Sequence, residues 1–150
     1  MHEIPELEAR ELLKGRYVCE DAPPWAPMRT MPRTLEIGVG VLDSTGKSVG
    51  MYVQLDFQHS AKTKIVKYKF TVFRRKPYGV ERIYQLQVNH FPKPVHDAHQ
   101  KSHEHFGDAR IEGKLEWQKW KFEDVLTYFC KATNIEFKPE IPHPEHFELR

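Results

Sequence analysis

The sequence predicts an α+β domain, a four-stranded antiparallel meander with a C-terminal helix at about residues 121–133 packed on one face and a short N-terminal helix. Three observations carry this. Four consecutive segments between residues 34 and 90 alternate apolar and polar side chains, the period of a half-buried strand. Short turn-forming runs separate them, which favours antiparallel neighbours over crossover connections. Phe122, Val125, Leu126 and Phe129 recur at i, i+3, i+4 and i+7, one apolar stripe of a helix. At 150 residues the chain suits a single domain with room for a real core.

The elements follow in order. Within residues 1–33, positions 3–14 read as a short helix, with Ile4, Leu7 and Leu12 on a mixed stripe and Pro5 suited to a first turn. Residues 22–33 carry four prolines and read as an extended connector, with Trp25 as its anchor on the core. The core spans 34–135. Leu35, Ile37, Val39 and Val41 alternate, and Asp43-Ser44-Thr45-Gly46-Lys47 turns the chain. Val49, Met51, Val53, Leu55 and Phe57 form the second strand, ended by His59-Ser60-Ala61-Lys62. Val66, Tyr68, Phe70 and Val72 face one way on the third, opposite Lys67, Lys69 and Thr71. After Lys76-Pro77-Tyr78-Gly79, a fourth strand presents Arg82, Tyr84, Leu86 and Val88. Asn134 is a C-terminal stop for the helix. Residues 136–150 read as an extended, proline-broken tail, pinned by Phe137, Ile141, Phe147 and Leu149.

Charge is unevenly spread beneath a net value of +2. Residues 1–24 hold six acids (Glu3, Glu6, Glu8, Glu11, Glu20, Asp21) against three bases, whereas residues 60–82 hold eight bases against Glu81 alone. Such a local excess attracts a polyanion or an acidic partner. No apolar run approaches the roughly 20 residues of a membrane span. The start, Met1-His2-Glu3-Ile4-Pro5-Glu6, lacks the basic-then-apolar order of a secretory signal. With Cys19 and Cys130 far apart and outside any metal-type spacing, the expectation is a cytoplasmic protein with reduced thiols.

Five of the nine histidines fall between residues 90 and 105: His90, His96, His99, His103 and His105. Imidazole titrates near neutral pH and is the commonest metal ligand, so this stretch is where chemistry is sought. His96, His99 and His103 would share a helical face, but neither a His-Glu-x-x-His element nor a cysteine pair accompanies them, so no metal or cofactor is assigned. A metal-free reading remains. RNA cleavage needs one group to take the 2′-hydroxyl proton and one to protonate the leaving oxygen, and histidines near their solution pKa serve both roles. His103 and His105 are then the catalytic candidates, with His90 and His99 in support. Lys67, Lys69, Arg74, Arg75 and Arg110 are the nucleic-acid contacts. The alternative is a solvated polar loop, with Gln100, Lys101, Ser102 and Glu104 exposed.

The run from about 65 to 135 contains Tyr68-Lys69-Phe70, Asn89-His90-Phe91-Pro92, His103-Glu104-His105, Gly107-Asp108-Ala109-Arg110 and Phe122-Glu123-Asp124-Val125-Leu126, in that order. In this it resembles the TumE-like toxins of bacterial toxin–antitoxin pairs, which lead from a strand-rich body through a His-x-His element to a closing helix. The N-terminal helix and proline connector lie outside the resemblance. It implies a small toxin-like protein acting on RNA, a metal-independent ribonuclease neutralised by a cognate antitoxin. The competing reading, from another class, is a non-enzymatic protein-interaction module such as an immunity, antitoxin-like or inhibitor protein. There the acidic N-terminus and basic centre would steer a partner.

Overall fold

The computed structural model describes residues 2–94 and 101–146. Phe147, Leu149, His96 and His99, each given a role above, lie outside them.

The structure corrects the α+β meander. The described residues form one ten-stranded mixed sheet with two α-helices, so the domain is mostly β. Its strands are β1 (His2–Glu3), β2 (Tyr17–Glu20), β3 (Ala26–Pro27), β4 (Thr34–Asp43), β5 (Ser48–His59), β6 (Val66–Lys76), β7 (Gly79–His90), β8 (His103–Phe106), β9 (Ala109–Glu112) and β10 (Ile135–Lys138). The sheet order is β10-β2-β4-β5-β6-β7-β8-β9, with β1 added to β7 and β3 to β4. The helices are α1 (Glu6–Leu12) and α2 (Phe122–Thr133). β4 to β7 are the long strands that alternation reveals. The other six have two to four residues each, too few for a period to show. They form because buried backbone groups need partners. The chain's two ends meet this need for each other. β10 runs parallel to β2, pairing Ile135 with Tyr17 and Phe137 with Cys19.

Turn chemistry sets the registers. Asp43 Oδ1 accepts from the Thr45 and Lys47 backbone amides at 2.8 and 3.0 Å, closing the β4–β5 hairpin. Two residues, Gly107 and Asp108, connect β8 to β9. Gly107 has φ +55°, and a Cβ there would meet the Ile4 carbonyl oxygen at 2.4 Å, so no other residue fits. The Asp108 amide bonds that same Ile4 oxygen at 2.8 Å, which ties the N-terminal segment to the β8–β9 turn.

One face of the sheet carries the core. Ile37, Leu55, Phe70, Val72, Tyr84 and Leu86 are fully buried there with Phe122, Val125 and Phe129 of α2. Phe129 meets Phe70 edge-on at 5.7 Å between ring centroids. Burying each such side chain contributes about 2 kcal/mol. Asn134 ends α2 in the left-handed conformation at φ 58°, and its amide donates to the Leu13 carbonyl oxygen at 2.6 Å. Trp25 is buried as its anchor role requires, and its indole N–H donates to the Pro142 carbonyl at 2.8 Å. The acidic N-terminus finds the basic strands within the molecule, with Glu3 on Arg82 at 3.1 Å and Glu8 on Arg74 at 2.6 Å.

Glu104 is the least expected core residue. The loop reading exposes it, yet it is buried in β8 opposite Leu86 of β7. Its carboxylate accepts from the Tyr84 hydroxyl at 2.9 Å and from the Tyr128 hydroxyl of α2 at 2.6 Å. Burial and this carboxylate together push both phenols above their ordinary range. Hydrogen bonds to a charged group contribute more than neutral ones, and a buried partner left alone costs more still. Glu104→Ala is expected to lower unfolding free energy by about 3 kcal/mol and Tyr128→Phe by about 1 kcal/mol in urea titrations. A Glu104→Ala midpoint equal to the wild type would show that this bridge holds nothing together.

Candidate functional site

Strand parity decides where each predicted site residue points. On β7, His90 has the same parity as Val88, Leu86 and Tyr84, the core-facing residues. Its ring lies 5.9 Å from Tyr68, and Nε2 donates to the Trp117 carbonyl oxygen at 3.1 Å. His103 and His105 pair with Gln87 and Gln85, residues of the opposite parity. The sheet itself therefore separates His90 from the His103–His105 pair. The four proposed catalytic imidazoles do not share one pocket among the described residues, and His99 lies outside them.

His103 and His105 do meet, edge-on, with ring centroids 4.9 Å apart. His103 is buried, and its Nδ1 donates to the Lys101 carbonyl at 2.7 Å, which fixes the proton on that nitrogen. His105 Nδ1 is buried with no hydrogen-bond partner among the described residues, as is Arg82 Nε. Burial, followed by the charges of Arg82, His103 and Arg110, depresses His105 to about 4. Burial also lowers His103, with Arg110 and Arg82 adding to the effect while Lys101 and Glu112 oppose it. Both shifts favour the neutral ring. A ring held neutral suits the proton-accepting half of the RNA-cleavage scheme better than the proton-donating half.

The predicted nucleic-acid contacts divide in the same way. Lys67, Lys69 and Arg75 lie on the face away from the core, with the exposed ends of their strand. Arg110 shares that face opposite His105, and its Nε bonds Glu112 at 3.0 Å. Arg74 points to the other side and is held by Glu81 and Glu8, each at 2.6 Å.

The face of Lys67, Lys69 and Arg75 lies opposite the core. Among the described residues no helix packs on it: the buried side chains of α1 and α2 join the core instead. Across its centre, Gln54 Nε2 donates to Glu36 and to Asp56, both at 2.8 Å, and Gln85 donates to Thr71 at 3.1 Å. Burial raises the Asp56 carboxyl, partly offset by Gln54 and Lys69. Toward one end, Tyr52 stacks on Phe73 at 5.1 Å, and the Arg75 guanidinium sits 4.7 Å above the Tyr52 ring. Beside them Gly38, Gly40 and Gly50 leave a shallow groove of about 550 Å³. The sequence signal was present: the strand alternation that buries Val53 and Leu55 must turn Tyr52 and Gln54 outward.

Among the described residues no three histidine, cysteine or acidic side chains gather as metal ligands. Cys19 and Cys130 are both free thiols, and burial pushes each up to about 12. Among the described residues no helix is long and apolar enough to cross a membrane. No family model, curated protein or solved structure matches the chain. The likeness to TumE-like toxins therefore stands on its short motifs alone. The ten-stranded sheet replaces the α+β description, and the described residues lend no support to the toxin–antitoxin, histidine-rich and RNA-binding expectations.

The histidine geometry sets a pH dependence. A depressed folded pKa means that the unfolded chain binds the proton first, so this contribution to stability is complete above about pH 6.5 and falls as pH drops toward 4. Unfolding midpoints are expected to fall between about pH 7 and pH 5, and less steeply for His105→Gln. Parallel curves for the two proteins would remove His105 as a cause.

Proposed function

We propose that the protein is a cytoplasmic, non-enzymatic interaction module that docks a protein partner at the Tyr52–Arg75 end of the sheet face that no described helix covers. One observation carries this reading. A polar and aromatic sheet face, with Tyr52, Phe73 and Arg75 stacked at one end and no described helix over it, is built differently from the aliphatic core face behind it. Tyrosine, phenylalanine and arginine are enriched at the centres of protein interfaces, because they bury large area at modest entropic cost. Lys67, Lys69 and Arg75 on the same face favour a partner with an acidic surface, and Glu36 and Asp56 add orientation. The immunity, antitoxin-like and inhibitor classes all operate through such stoichiometric docking. The division of His90 from the His103–His105 pair by the sheet supports binding over a shared catalytic cluster.

The test uses the tagged full chain in extract from its own cells. One stoichiometric polypeptide should be retained, and Tyr52→Ala/Arg75→Glu should weaken its binding by about 30-fold or more without moving the melting temperature. Retention that ignores this substitution would overturn the proposed face. Total RNA shortened by the wild type but spared by His103→Ala/His105→Ala would overturn the non-enzymatic reading.

A further inference from the structure

A second concave region lies at the other end of the strands, away from the Tyr52 platform. It is a cleft of about 720 Å³ where the end of β7, the start of β8 and the segment after β9 come together. That size falls within the common range for small-molecule sites, about 300–1,000 Å³.

Its rear wall is held by backbone links. The Asn89 amide donates to Ser102 Oγ at 2.9 Å, and the Gly113 amide donates to the Ser102 carbonyl at 2.9 Å. The His90–Trp117 bond fastens the same wall to the 3-10 turn Leu115–Lys119. Gly113 is required there. A Cβ would lie 2.6 Å from the Trp117 ring and 2.8 Å from the Ser102 oxygen. The wall is therefore closely packed behind the cleft, as a pre-formed site requires.

The lining has a consistent chemistry. Lys93, Lys101 and Lys114 all contribute, and none of them enters an ion pair among the described residues. Among the described residues Glu112 is the one carboxylate on the lining, and it is paired with Arg110 at 3.0 Å. Three lysines line one cleft whose one described carboxylate is paired with Arg110, so the described lining favours negative charge. Phe91 and Leu115 supply apolar surface beside them, and Leu115 is 84% exposed. A leucine so exposed at the edge of a cationic cleft gains from an apolar group laid over it.

We infer that this cleft binds a small anion with an apolar or aromatic body, an aryl or alkyl phosphate or carboxylate. The charged head would lie among Lys93, Lys101 and Lys114, and the body against Phe91 and Leu115. The cleft meets the docking face only where Lys67 Nζ lies 5.9 Å from the Phe91 ring, and the Tyr52–Arg75 platform is at the other end of the strands, so either can fail alone.

Phenyl phosphate and inorganic phosphate are the probes, followed by amide chemical shifts and calorimetry on the full chain. Phenyl phosphate should bind about tenfold or more tightly than inorganic phosphate, moving the Asn89, Ser102 and Gly113 amides. Lys101→Glu/Lys114→Glu should weaken it at least about tenfold, and Leu115→Ser about threefold, with melting temperatures unchanged because all three side chains are exposed. Arg75→Glu on the far groove should leave the affinity as it was. Equal binding of the two probes, no saturable shift at these amides, or affinity indifferent to the lysine reversals would overturn the inference.

Discussion

The two-residue period of the β-strand is the constraint on which this structure turns. Successive side chains point to opposite faces, so pairing Gln87 with His103 places that histidine across the sheet from everything that faces α2. A shift of one residue would carry Glu104 and Phe106 out of the core and bring the histidines in. Glu104 makes such a shift costly. Its carboxylate is bonded to tyrosines from both β7 and α2, and in the shifted register those hydroxyls would be buried without a partner.

The same parity divides the protein into two chemically different halves. Behind the sheet lies a continuous aliphatic and aromatic core, sealed by α2, Trp25 and Trp117. In front lies a face of amides, carboxylates, lysines and one stacked aromatic pair, satisfied largely by bonds within itself. The charge asymmetry of the chain is spent unevenly between them. Arg74 and Arg82 are engaged by N-terminal acids, while Lys67, Lys69 and Arg75 stay at the front. Complementary charge within one sequence thus serves assembly first, and Lys67, Lys69 and Arg75 are what it leaves at the front.

Histidine density along the chain does not place His90 beside His103 and His105 in space. An imidazole's usefulness as an acid or base depends on its surroundings, and here burial, with Arg82 and Arg110 nearby, favours the neutral form of His105. His90 is turned the other way and serves to fasten the 3-10 turn.

The sequence by itself determined the local features. The four long alternating strands, the Phe122–Phe129 stripe, the Asn134 stop and the Trp25 anchor are all legible, because each depends on spacing within a few residues. It also determined which residues of β5 and β6 share a face, and so which side chains could form the docking surface. Only the tertiary structure decided that His2–Glu3, Tyr17–Glu20 and Ile135–Lys138 complete the sheet, since two to four residues carry no period and their partners lie far away in the chain. Only it decided that Glu104 is interior and that His90 and His103 are divided. Those outcomes depend on cross-strand register, which long-range packing sets and neighbouring residues do not encode.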